Sequence, residues 1–207
     1  MTTQVDNLTT LEIPPIVMHL KPVVELTDEQ FYELCQLNRE LRIERSSSGE
    51  LIIMAPTGGE SGKRNADLTT DLNIWNRQTK LGIVFDSSTG FKLPNGAERS
   101  PDTSWVKLDR WNTLSSEQRQ KFVPLCPDFA IELRSETDSI KTLREKMREY
   151  LDNGLRLGWL IDPKTQSVEI YRPGQGVETL KSPSTLSEED VLPGFVLNLQ
   201  LFFGSTP

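Results

Sequence analysis

The chain has one histidine and two cysteines in 207 residues, no long apolar run and no surplus of positive charge. Each shortage removes a class of explanation. His19 stands alone in a proline-bounded segment, which leaves no residues for a histidine-rich zinc site and argues against histidine-based hydrolysis. Cys35 and Cys126 lie 91 positions apart with no ligand spacing around them, so they read as ordinary thiols in a reducing compartment. No stretch approaches the roughly 18 consecutive apolar residues that would cross a bilayer. The first twenty residues have neither the basic start nor the apolar run of a secretory leader. The expected location is therefore cytoplasmic, with no membrane partner. The formal charge of −7 sets a further limit. An acidic surface repels nucleic-acid phosphates at long range, so any contact with them has to be local, metal-assisted or made in a groove between two subunits.

What is present suffices for one core. Hydrophobic residues make up 36% of the chain, enough for a single domain of this length. Residues 1–22 are polar and then punctuated by Pro14, Pro15 and Pro22, and read as an N-terminal arm; residues 23–207 read as one domain. Thr27-Asp28-Glu29-Gln30 is a capping box that predicts a helix over 28–38, with Phe31, Leu34 and Cys35 on one side. Arg42–Arg45 and Glu50–Ala55 predict a hairpin turned by Ser46-Ser47-Ser48-Gly49. A helix is expected over 61–79, then strands over 82–85 and 103–106, a loop with a short polar helix over 111–120, and a strand over 128–134. Ile140, Leu143, Met147, Tyr150 and Leu151 form a helical stripe that Gly154 ends. Strands follow over 155–161, 168–171 and 195–199, with 181–194 as loop. Strands mixed with two substantial helices imply an α/β fold with a mixed central sheet flanked by helices.

Side chains alternate across a strand. In 128–134, Phe129, Ile131 and Leu133 share one face, and Asp128, Ala130, Glu132 and Arg134 share the other. A carboxylate inside so apolar a strand is costly unless it is paired or holds a metal. Asp102 follows Pro101 at the head of another strand. Two carboxylates from neighbouring strands, with a backbone carbonyl such as that of Leu133, suit Mg²⁺ or Mn²⁺, which take hard oxygen ligands and keep several waters. Such a site activates water against a phosphodiester. Arg134 stays protonated and serves only as a charge. Lys146 lies roughly 40° from Tyr150 at the border of the helical stripe, where partial burial is expected to lower its pKa and fit it for proton transfer. The bland readings are a strand-start habit for Asp102, a structural ion pair for Glu132, and an ordinary surface role for Lys146. The four tryptophans read as core or interface residues rather than base-stacking platforms, and Gly58-Gly59 with Gly62-Lys63 lacks the spacing of a phosphate loop.

These residues resemble the PD-(D/E)XK nuclease superfamily, and more closely the Uma family of bacterial restriction-endonuclease-like proteins. The resemblance runs from about Leu26 to Phe203. Its pieces are Arg42-Ile43-Glu44-Arg45 with Gly49-Glu50-Leu51, Met54-Ala55-Pro56-Thr57, Phe85-Asp86-Ser87-Ser88-Thr89-Gly90-Phe91, Pro101-Asp102, Pro127-Asp128-Phe129, Glu132, Lys146 with Tyr150 and Gly154, and Trp159-Leu160-Ile161-Asp162-Pro163. It implies a restriction-endonuclease-like core and a metal-dependent endonuclease acting on DNA. Asp102 would be the Pro-Asp carboxylate, Glu132 the second acidic position and Glu44 a fourth site residue. Arg134 stands where the superfamily has its lysine, and relocation of that lysine to the next helix points to Lys146. A homodimer is the expected assembly. The competing reading is a non-catalytic nuclease-fold module that binds a protein or nucleic-acid partner.

Overall fold

The computed structural model describes residues 15–187 and 190–203. Two sheets meet along one seam. The smaller is antiparallel and contains β1 (Ile16–Met18), β2 (Arg42–Arg45), β3 (Leu51–Met54), β5 (Phe91–Lys92) and β6 (Glu98–Arg99), in the order β1-β3-β2-β6-β5. The larger contains β4 (Gly82–Asp86), β7 (Thr103–Lys107), β8 (Phe129–Leu133), β9 (Leu157–Asp162), β10 (Ser167–Tyr171) and β11 (Glu178–Lys181), in the order β11-β10-β9-β8-β7-β4. Apart from an isolated bridge of Phe91 with Val123, only β8 and β9 pair in parallel among the described strands. Their crossover is helix α5 (Ile140–Asp152), as a parallel pair requires. The sheet is therefore mixed and central, as expected. Helices α1 (Asp28–Leu37) and α2 (Gly59–Thr79), the short α3 (Leu108–Asn112), α4 (Ser116–Gln120) and α6 (Gln200–Phe203), and a small hairpin of β12 (Thr185–Ser187) with β13 (Val196–Asn198) complete the described chain.

Local chemistry accounts for the main elements. Thr27 and Gln30 cap α1 reciprocally, as the capping box predicts. The end of α5 is shifted by one residue from expectation: Asn153 is the cap, and Gly154 follows it at φ 102°, the left-handed turn that glycine adopts without cost. β8 and β9 are buried along their whole length because both faces of the large sheet are covered. On one face Leu68, Leu72 and Trp75 of α2 pack with Trp105, Phe129, Ile131, Trp159 and Phe195. On the other, Met147 and Tyr150 of α5 pack with Val106, Ala130, Leu160 and residues of the small sheet. Gly158 permits that second layer, since a Cβ there would stand 2.3 Å from Met147 Cε. Trp75, Trp105 and Trp159 are core residues, as expected.

Several expectations are corrected. Residues 1–14 of the expected arm lie outside the described residues, but Ile16–Met18 is a strand paired with β3 at the edge of the small sheet. Residues 108–112, of which 108–110 carried no expectation and 111–112 were read as the start of a loop, form a helix. The segment expected as loop over 181–194 contains β12, and β5, β6 and β11 add strands that the sequence reading lacks. These strands are two to four residues long, too short to show a period.

Candidate active site

The site lies where the two sheets meet. Arg42 and Glu44 come from one face of β2, Asp102 from the residue before β7, Glu132 from β8, and Lys146, Glu149 and Tyr150 from α5. The register of β7 with β8 pairs Thr103 with Ile131. One step further, Asp102 falls opposite Glu132. The Leu133 amide then donates to Asp102 Oδ2 at 2.9 Å, tying one acidic position to the strand that carries the other. Both carboxylates are withdrawn from solvent, with Asp102 8% and Glu132 2% exposed.

Lys146 occupies the centre. Its Nζ lies 2.9 Å from Glu44 Oε1 and 3.0 Å from Glu132 Oε1, and donates to the Ser100 carbonyl at 3.3 Å. Tyr150 Oη donates to the same Glu132 oxygen at 2.9 Å. Both contacts of Glu132 with described residues fall on Oε1, so Oε2 is left over. Glu44, by contrast, is saturated: besides Lys146 it accepts from the Ser100 amide at 2.9 Å and from Arg99 at 3.2 Å. Arg99 also donates to Glu149 at 2.6 Å. Arg42 donates to the Ser100 carbonyl at 2.8 Å and stands 3.7 Å from Asp102.

These neighbours set the protonation states. Burial alone would raise Glu44, but Lys146, Arg99 and the Ser100 amide outweigh it and bring it down to about 2. Burial also raises Glu132; there Lys146 pulls down while Asp102 and Glu44 push up, and the carboxyl is lifted to about 7. The opposite directions reflect where the cations sit, with three donors on Glu44 and one ammonium shared with Glu132. For Lys146 the expected lowering is reversed. Burial does favour the neutral amine, but Glu132 and Glu44 prevail and the pKa is raised. The two carboxylates thus favour the charged ammonium of Lys146 over the neutral amine.

Asp102, Glu132, Glu44 and Lys146 are brought together as the sequence reading anticipates. Arg134 is placed elsewhere: β8 ends at Leu133, and the guanidinium pairs with Asp162 at 2.9 Å and donates to the Asp138 carbonyl at 3.2 Å. The strict alternation that aligned Arg134 with Glu132 stops with the strand. The Leu133 amide donates to Asp102, which sets the backbone of Leu133, whose carbonyl was the expected donor, beside that carboxylate. Asp128 has the strand-start role, accepting from the Lys107 amide at 2.8 Å and pairing with Arg110 at 3.0 Å. Arg42, Arg99 and Tyr150 were not singled out for roles. Arg42 stands two residues from Glu44 on one strand, and Tyr150 four from Lys146 on one helix, so periodicity could have found both. No comparable signal marks Arg99.

A hard divalent cation fits this donor set. Asp102 and Glu132 offer carboxylate oxygens, Glu132 Oε2 is uncommitted, and the cluster holds four carboxylates (Glu44, Asp102, Glu132, Glu149) against three cations (Arg42, Arg99, Lys146). Among the described residues no three His, Cys, Asp or Glu side chains form a ready-made cage. Two protein carboxylates with the remaining positions left to water is an arrangement Mg²⁺ commonly takes.

Comparison with known proteins agrees with the fold. No curated protein matches the chain. Among solved structures, a protein described as a "putative nuclease belonging to DUF820" from Anabaena variabilis is similar at a TM-score of 0.71, with 21% identity over 86% of this chain and 97% of the other. That likeness supports the restriction-endonuclease-like architecture. The profile of the Uma2 family, described as "Putative restriction endonuclease", matches residues 28–200, and the chain belongs to that family.

Proposed function

We propose that the protein is a Mg²⁺- or Mn²⁺-dependent endodeoxyribonuclease that hydrolyses DNA phosphodiester bonds. The observation that carries this reading is the convergence of Asp102 and Glu132 across neighbouring strands beside the largely shielded ammonium of Lys146. Asp102, Glu132 and the Leu133 carbonyl would hold the cation, which when bound supplies Lewis acidity and a more acidic water. The rest is the work of side chains. Lys146 carries its charge into a corner of low dielectric, where it counts for more than in water against charge growing on a phosphate. Glu44 and Tyr150 are positioning residues: Glu44 anchors the ammonium from one side, and Tyr150 holds Glu132 Oε1 from the other. Arg42, mostly buried beside Asp102, has a guanidinium fork suited to a phosphate oxygen. Arg134, tied to Asp162, contributes at most indirectly in this reading.

A homodimer would place two such sites for two strands, consistent with the prevalence of twofold assemblies. The alternative of a non-catalytic nuclease-fold module draws on one observation, the position of Lys146 locked between two carboxylates. Manganese calorimetry on the wild type and Glu132→Ala, run beside cleavage of supercoiled plasmid, decides. Metal uptake lost in the variant together with metal-dependent nicking is the expected result. Equal uptake by both proteins overturns the site, and uptake without cleavage favours the binding module.

A further inference from the structure

Two buried polar atoms beside Asp102 have no hydrogen-bond partner, Arg42 Nε and Asn65 Oδ1. Most buried polar atoms in folded proteins are satisfied, so each exception calls for a reason. Asn65 belongs to α2, on the opposite side of the large sheet from Lys146. One turn later on the same helix face, Thr69 shares a 2.8 Å hydrogen bond with Thr103, the residue after Asp102. That contact fixes the height of α2 and sets Asn65 level with Asp102, to whose Oδ1 its Nδ2 donates at 3.2 Å. The amide orientation follows from charge: turned over, it would set an oxygen against a carboxylate. With Nδ2 committed, Oδ1 is shut off from solvent and meets no donor.

We infer that Asn65 is a further oxygen donor to the divalent cation at the Asp102 end of the site, an inference that rests on the metal-dependent reading above. An amide oxygen is a hard ligand of the kind Mg²⁺ and Mn²⁺ accept. It adds no charge to a corner already rich in carboxylates. The same side chain then does two jobs, its nitrogen orienting Asp102 and its oxygen facing the metal. The donors so assigned come from both faces of the sheet, α2 supplying Asn65 and the strand ends supplying the carboxylates.

The test is Mn²⁺ binding by the intact chain, read by electron paramagnetic resonance, for wild type, Asn65→Ala, Asn65→Asp and Asp102→Ala, with thermal melts as a check of folding. Asn65→Ala is expected to weaken binding about tenfold, the lower end of what losing a group around a metal costs. Asn65→Asp is expected to bind at least as tightly as wild type, because a carboxylate oxygen replaces the amide oxygen even though it cannot donate to Asp102. If Asn65→Ala binds like wild type the residue plays no part in metal binding, and if Asn65→Asp is as weak as Asn65→Ala it only orients Asp102; either result overturns the inference while the metal reading stands on Asp102→Ala. If Asp102→Ala binds like wild type, the metal reading itself falls. Should Asn65→Ala not fold, the comparison of Asn65→Asp with wild type decides alone.

Discussion

Strand β2 carries two buried charged clusters on its two faces, and they are built on different principles. On one face Arg45 makes a pair of hydrogen bonds to Glu98, 2.5 and 2.8 Å, and its remaining donors reach Asp28 at 2.6 Å and the Leu26 carbonyl at 2.7 Å. Lys92 closes on the same Asp28. Every nitrogen of that guanidinium is used. On the other face, one residue earlier and three earlier in sequence, Glu44 and Arg42 enter a cluster with more carboxylates than cations, an orphan Nε on Arg42 and an uncommitted Oε2 on Glu132. The first cluster resembles a structural clamp fastening α1 to the small sheet. The second retains unsatisfied capacity, and buried polar groups without partners call for an explanation, which the proposed cation supplies here.

Breaking each cluster should separate the two kinds. Arg45→Ala leaves Glu98 buried and unpaired, and is expected to cost about 3–5 kcal/mol in urea unfolding, while any metal-dependent cleavage by the folded fraction is unchanged. A double change to Arg45→Met with Glu98→Leu should recover most of that loss, because two apolar groups carry no desolvation penalty. Asp102→Asn should do the reverse: plasmid nicking falls by at least about 10²-fold, the size expected for loss of one group acting on the reacting centre, with the urea midpoint little changed.

The pH dependence of stability sharpens the same contrast. Glu44 is depressed from 4.5 to about 2, so its contribution is present above 4.5 and is lost as pH falls toward 2. Glu132 is raised from 4.5 to about 7, so its contribution is complete below 4.5 and is lost as pH rises through 7. Shifts of that size correspond to ~3 kcal/mol each. Chemical denaturation across pH 3–8 should therefore show a maximum near pH 4.5, where the Glu44 gain ends and the Glu132 loss begins, and the fall from there to about pH 7 should disappear in Glu132→Gln. The smallest effect is expected from Tyr150→Phe, about 1–2 kcal/mol for one hydrogen bond to a carboxylate. It should also raise the Glu132 titration midpoint further, visible by carboxyl NMR, since the lost donor had favoured the ionised form.

The sequence was legible where one residue type recurs at a fixed period. The capping box at Thr27, the stripe from Ile140 to Leu151 and the alternation in β8 each follow from local geometry, and all three are present. Glu132 could be singled out because a carboxylate breaks an apolar strand, and Asp102 because proline precedes it at a strand head. What stayed hidden depends on the meeting of the two sheets. Nothing near Ser100 in sequence announces that its carbonyl will accept from both Arg42 and Lys146. Asn65 lies on a helix whose apolar residues are sparse, and only the Thr69–Thr103 contact sets its height against Asp102. The pKa of Lys146 illustrates the same limit: burial could be foreseen from its helix position, but the two carboxylates that reverse its effect come from other elements.

The crossover from β8 through α5 to β9 bears on how the candidate site assembles. Glu132 and its ammonium partner Lys146 lie fourteen positions apart within one continuous strand–helix unit, so acid and counter-charge arrive as a prefabricated couple. Glu44 and Arg42 belong to a different slab of the molecule and join only when the slabs close. Separating the slabs would strip Lys146 of its Glu44 anchor and leave its Glu132 anchor in place.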